Sequence, residues 1–229
     1  VKAGIEKSKR EPIQLLHERG TPTALETTGS TTIGRAALAA VRPDLSLPEV
    51  RSVAEWKLFS KISEAGTSWD EPGCGWTPKF CREVDMTKER PKFMGRATAG
   101  ALPLVEGRMV QTHRFGVKGH ISGTGRSAVW EAYPIGGSRL SPPVWIRPED
   151  MPLGNQHRTD LLRVGFCDIA GQTNERSLMA ALIPPGVICG NKVPTILFPE
   201  ATSAERPHAW TAIATSFAFD WLLRRVLTT

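Results

Sequence analysis

A chain of 229 residues with a net charge of +6 and 40% apolar residues is long enough for one large domain or a domain with an arm, and for a sizeable core. The pI near 9.4 fits a polyanionic partner, and acids interspersed along the chain mean that any basic surface is made by folding rather than by a tail. Four cysteines without a C-x-x-C pair give no metal-site spacing; with no secretory signal and no membrane-length apolar run, a cytoplasmic setting without a membrane partner is expected.

Residues 1 to about 30 are polar and mixed in charge. Ile13 to His17 reads as a helical turn, and Gly20, Pro22 and the Thr-rich run to Thr32 read as a loop or frayed arm. Gly34 to Val41 is an Ala-rich helical patch that Pro43 ends. Glu49 to Ile62 places Val53, Trp56, Phe59 and Ile62 on one helical face, which is most simply core. Residues 1–48 are therefore expected to be a partly irregular arm or linker, and residues 49–229 one domain.

Trp76 to Thr87 alternates as a strand, Phe80 against Lys79 and Val84 against Glu83. Met109, Gln111, His113 and Phe115 alternate with Val110, Thr112 and Arg114, so one face can pack while Arg114 points to solvent or to a ligand. Gly116 to Arg139, rich in Gly, Ser and Arg, reads as a loop. Its Gly-Thr-Gly-Arg-Ser phrase is not a phosphate loop, because no apolar strand leads in and no Lys-Ser/Thr follows. Pro142 to Ile146 is a short edge strand at best.

The chain's organising stretch is Arg163 to Asn191. Leu161, Leu162, Val164, Phe166 and Ile169 suit a pleated surface, a polar loop from Gly171 to Arg176 interrupts them, and Leu178 to Ile183 is a second short apolar run that Pro184-Pro185-Gly186 stops. A stiff apolar strand leading out of a loop of Gln, Thr, Asn and Arg suits recognition better than bond-making. Val193 to Phe198 reads as a further strand. Ala209 to Leu227 reads as a helix with Trp210, Ile213, Phe217, Trp221 and Leu222 on one face. Together these elements predict an α+β fold: a helical N-terminal part, an irregular and mostly antiparallel β region, and a closing C-terminal helix.

Four phrases in order carry a resemblance. They are R-E-V-D-M-T from Arg82 with Phe93 after it, L-P-L-V-E-G-R-M-V from Leu102 with His113-Arg114-Phe115 after it, D-I-A-G-Q-T-N-E-R-S-L-M-A-A-L-I-P-P-G-V from Asp168, and A-I-A-T-S-F-A-F-D-W-L-L-R-R from Ala212. Over roughly residues 50 to 227 the chain resembles the TaqI-like target-recognition region of adenine-specific DNA methyltransferases from restriction-modification and related phage-defence systems. The resemblance implies sequence-specific recognition of double-stranded DNA, beside a methyltransferase domain of the same polypeptide that uses S-adenosylmethionine and flips the target adenine out of the duplex. The cofactor-binding glycine motif and the Asn-Pro-Pro-aromatic motif are absent here. Ser141 and Val144 stand where the amide and the aromatic would have to be around Pro142-Pro143. No cofactor is expected in this chain, which by itself is expected to be catalytically silent. Val1 is no initiator Met and the end, LLRRVLTT, falls within or just after a helix, so the chain reads as a piece of something longer.

Side chains able to read bases or grip phosphates concentrate near these phrases. Arg114, Lys118, Arg126, Arg139, Gln172, Asn174, Arg176 and Lys192 are the candidate DNA-binding residues. Bland roles stand beside these: Arg176 as a loop brace, Asn174 as a turn or cap residue, His113 as a packed strand residue, Arg126 and Arg139 as solvated cations. Asp85 and Asp220 read as structural. Two other readings stay open, a general nucleic-acid-binding module and a non-enzymatic interaction domain.

Overall fold

The computed structural model describes residues 12–16, 30–66, 75–137, 140–168, 174–199 and 204–227. The chain divides into two units, one of residues Val1–Glu71 with Trp221–Thr229 and one of Pro72–Asp220. The boundary expected near residue 48 lies inside the first unit.

In the first unit, β1 (Ile13–Leu16) pairs antiparallel with β2 (Ser30–Ile33), Ile13 opposite Ile33. The segment expected as a helical turn is thus a strand. Alternating Ile13 and Leu15 satisfy its backbone across a ladder while packing one face against the unit's core. Helix α1 (Arg35–Val41) and helix α2 (Val53–Ala65) follow as the sequence indicates. Ser52 caps α2 by accepting from the Glu55 amide at 3.1 Å, and the Glu55 carboxylate accepts the Arg51 amide at 2.7 Å. Phe59 is buried with Ile33, Leu38 and Val50, and Trp56, Trp221, Leu222 and Val226 pack around them. Val53, expected on the same apolar face, is half exposed because it occupies the first turn of the helix.

The second unit is built mainly of short strands: β3 (Lys79–Cys81), β4 (Leu102–Val105), β5 (Val110–Gln111), β6 (Arg114–Phe115), β7 (Lys118–Ser122), β8 (Val129–Ala132), β9 (Trp145–Ile146), β10 (Arg163–Phe166), β11 (Ala180–Ile183), β12 (Ile188–Cys189) and β13 (Thr195–Leu197). Its main sheet has the order β11-β10-β13-β3, every pair antiparallel, with Val164 opposite Leu182 on one side and Ile196 on the other. A second sheet, β12-β4-β9, joins a parallel to an antiparallel pair, and β5-β6 and β7-β8 are two-stranded ribbons. With four helices and mostly antiparallel strands among the described residues, the fold is α+β.

Gly165, in the centre of the main sheet, is dictated by packing. A Cβ there would lie 2.6 Å from Ile183 Cγ1 and 3.0 Å from Val193 Cγ1. Those side chains belong to the cluster of Val105, Met109, Val110, Ala181, Ile183, Val187, Cys189 and Val193 that joins the main sheet to β4, β5 and β12.

Three segments differ from expectation. The strand expected from Trp76 to Thr87 is ordered as β3 only over Lys79–Cys81; Phe80 is 59% exposed, whereas Glu83 and Val84 are both buried. The stretch Met109 to Phe115 is a hairpin rather than one strand, turning at Thr112-His113. The glycine-rich stretch after Gly116 is mostly the ribbon β7-β8, with a bulge between His120 and Ser122. The closing helix is two, α3 (Glu205–Ala214) and α4 (Phe217–Arg224). Thr215 bonds back through its hydroxyl to the Thr211 carbonyl, and Ser216 Oγ accepts the Phe219 amide at 3.2 Å, starting a new helix where one would have continued. Among the described residues no helix is long and apolar enough to cross a membrane.

Candidate nucleic-acid interface

A buried carboxylate fixes the frame of the second unit. Glu83 has no exposed surface. It accepts Arg163 Nε at 2.5 Å and Thr195 Oγ1 at 2.8 Å on Oε1, and Arg163 NH2 at 3.1 Å and the Cys189 amide at 2.8 Å on Oε2. Arg163 is equally buried and donates to the carbonyls of Val187 (2.7 Å) and Leu161 (3.2 Å) as well. Arg158 lies 3.7 Å from the same carboxylate and donates to Thr195 Oγ1 at 3.0 Å. A charge buried this deeply is tolerated only with its full set of partners. Here they come from β10, β12, β13 and the turn of Gln156–Asp160, with Glu83 itself just after β3, so the network ties these segments into one frame. Burial also pushes the Cys189 thiol well above the ordinary cysteine range, which makes it a small core residue.

Two concavities adjoin on this frame. The first, about 360 Å³, is lined by Arg108, Lys118 and Lys192 with Glu106, Gln111, Gly107 and the sulfur-bearing Met86, Cys167 and Met179. The second, about 560 Å³, is lined by Gln111, Thr112 and His113 of the β5-β6 turn, by Asn174, Glu175 and Arg176, and by Met179. Gln111 and Met179 belong to both. Gly107 lets the chain approach closely here, for a Cβ would sit 3.2 Å from the Lys192 carbonyl and 3.3 Å from Cys167 Sγ. Burial raises the Glu106 carboxyl above the usual range, against the pull of Arg108 and His120. The first concavity therefore carries three cations around one carboxyl.

The walls are held stiffly. His113 sits in the left-handed region at φ 61, a conformation histidine visits more readily than branched residues, and its amide donates to the Ala180 carbonyl at 2.8 Å. Arg108 lies over the Trp130 ring, 4.9 Å from its centre, while His120 meets that ring edge-on at 5.4 Å. On the rim, Asp168 receives Arg82 NH2 on both oxygens at 3.1 and 3.2 Å, with Lys192 Nζ at 3.9 Å.

Of the residues expected from the sequence, Lys118 and Lys192 meet in the first concavity and Asn174 and Arg176 in the second. Arg176 braces its loop. Its guanidinium lies 3.9 Å from the Phe217 ring centre and 4.0 Å from Asp220, whose carboxylate also accepts the Ser177 amide. Arg114 is half-buried and donates to the carbonyls of Tyr133 (3.3 Å) and Pro134 (3.0 Å), joining β6 to the end of β8 instead of pointing outward as the single-strand reading required. Arg126 is exposed in the turn between β7 and β8, away from both concavities. Arg139 and Gln172 lie outside the described residues. Asp85 is structural as expected. Its Oδ1 accepts the Thr87 and Lys88 amides, and those bonds hold its carboxyl below the usual range.

Sequence reasoning missed Arg108, Glu106 and Gln111. The first two sit inside the Leu102 to Val110 phrase, whose Glu-Gly-Arg core combines both charges with a glycine and so marks a tight polar turn. Gln111 was hidden by reading a strand through a hairpin. No protein-family model matches the chain, and no curated protein matches it.

Proposed function

We propose that this chain recognises double-stranded DNA in a sequence-specific manner, as the target-recognition part of an adenine-specific DNA methyltransferase or restriction-modification enzyme. The observation that supports it most is the convergence of Arg108, Lys118 and Lys192 in one concavity adjoining a second lined by amide, imidazole and guanidinium groups. Cations of this kind neutralise phosphates and set the register, while hydrogen-bonding side chains discriminate base edges. The ordered phrases from Arg82, Leu102, Asp168 and Ala212 add to this, because the second and third of them supply residues of both concavities.

The role assigned is reading. On the resemblance of the four phrases, methyl transfer from S-adenosylmethionine, with the adenine flipped out, is assigned to a catalytic domain of the same polypeptide. A general nucleic-acid binder shares the cationic concavity and differs in lacking sequence preference; a non-enzymatic interaction domain lacks DNA affinity altogether.

The test is fluorescence anisotropy of a labelled duplex over a series of salt concentrations. Affinity is expected to fall linearly on a log–log plot, with a slope of about −0.9 for each phosphate neutralised. Salt-independent binding, or none by the folded chain at low salt, would overturn the proposal.

A further inference from the structure

We infer that Gln111 is a base-reading residue of this interface and that it recognises an adenine in the major groove. The inference rests on the DNA reading above and adds a named specificity contact to it. Gln111 is exposed and lines both concavities, so the residue stands where they meet. Its backbone is fixed: it pairs with Arg114 across the hairpin, its neighbour Val110 is 1% exposed in the core, and the turn is anchored by the His113 amide on the Ala180 carbonyl at 2.8 Å. The platform fixes where the Gln111 Cα stands relative to a bound duplex, so the reach of its side chain is set by the hairpin.

One guanidinium nitrogen of Arg114 is bound to two carbonyls, and Arg176 is held between Phe217 and Asp220. Lys118 and Lys192 are point charges without a flat donor–acceptor edge, which fits phosphate rather than a base. The Gln111 carboxamide has no hydrogen-bond partner among the described residues, although it lies beside cations that would hold a duplex against it. An amide presents one acceptor and one donor side by side, the complement of adenine N6–H and N7. Guanine, with two acceptors on that edge, leaves the amide oxygen facing an oxygen or nitrogen lone pair.

The test starts from the site that the wild-type chain selects out of random duplex DNA. Gln111→Ala and Gln111→Glu are then titrated against that site and against every single-base variant of it. Gln111→Ala is expected to lose about tenfold of the preference for A·T at one position, with the other positions and the salt slope unchanged. Gln111→Glu is expected to move the preference at that position towards C·G, because a carboxylate accepts from cytosine N4. If the wild type selects a site and Gln111→Ala keeps every preference, or loses affinity equally for all sequences, the inference is overturned while the DNA reading stands. If the folded wild type binds no duplex DNA, the DNA reading itself fails and takes the Gln111 assignment with it.

Discussion

Glu83→Gln tests the physical frame beneath the interface. The substitution keeps the shape of the side chain and replaces one accepting oxygen by an NH2 group. In the native arrangement both oxygens face donors, Arg163 Nε and Thr195 Oγ1 on one and Arg163 NH2 and the Cys189 amide on the other. Whichever way the amide turns, two N–H or O–H groups meet a donor in a site without solvent, and a buried guanidinium loses its counter-charge. Breaking a buried pair in this way costs about 3–5 kcal/mol, a large part of the about 5–15 kcal/mol that holds an ordinary domain together. In urea, followed by tryptophan fluorescence and circular dichroism, the midpoint should fall by about 1.5–2.5 M for a slope near 2 kcal/mol/M. Replacing both partners, as Glu83→Leu with Arg163→Met, should recover part of the loss, because the Arg163 charge goes with its counter-charge and the Arg158 guanidinium is the one cation of the network left without it. A midpoint within about 0.3 M of the wild type for Glu83→Gln would refute the reasoning.

Gly165→Ala forces a methyl against Ile183 and Val193 and should cost about 1–3 kcal/mol, read as a lowered thermal midpoint. Lys118→Ala and Lys192→Ala should weaken duplex binding about equally for all sequences, each reducing the salt slope by about 1, as anisotropy titrations at several salt concentrations would show. Glu106→Gln removes the acidic group from the cationic concavity and should tighten DNA binding by about two- to tenfold near 0.1 M salt in the same assay. Its effect on stability has a definite sign. Because the folded carboxyl is raised, its contribution is fully present below the unfolded glutamate value and is lost as pH rises through the folded one. The Gln variant should therefore lose less stability than the wild type as pH rises from the ordinary glutamate value, measured by urea melts along a pH series.

The sequence made the local elements legible where one period dominated. The helices around Leu38 and Phe59, the antiparallel pair on either side of the polar loop, and the strand of Thr195 to Leu197 follow from apolar spacing and from Pro and Gly stops. It failed where a long-range partner decided the outcome. Glu83 alternates with Val84 like a surface residue, yet it is buried, because Arg163 reaches it from 80 positions away. The Thr112-His113 turn was hidden because it has no glycine in its two central positions and depends on a histidine in the left-handed region. The break between Ala214 and Phe217 comes from hydroxyls whose back-bonding the apolar pattern does not register. In the first concavity, charge alone pointed to Lys118 and Lys192. The engagement of Arg114 and Arg176 within the protein depended on carbonyls and a ring that only the folded chain brings near.

The central claim is sequence-specific recognition, and selection of bound duplexes from a fully random pool by the folded chain tests it most directly. Enrichment of one short defined site, weakened uniformly by Lys118→Ala and Lys192→Ala, is the result expected. Salt-sensitive binding without any enriched site would contradict the claim of specificity and leave a general DNA binder. No binding at low salt would contradict DNA recognition itself.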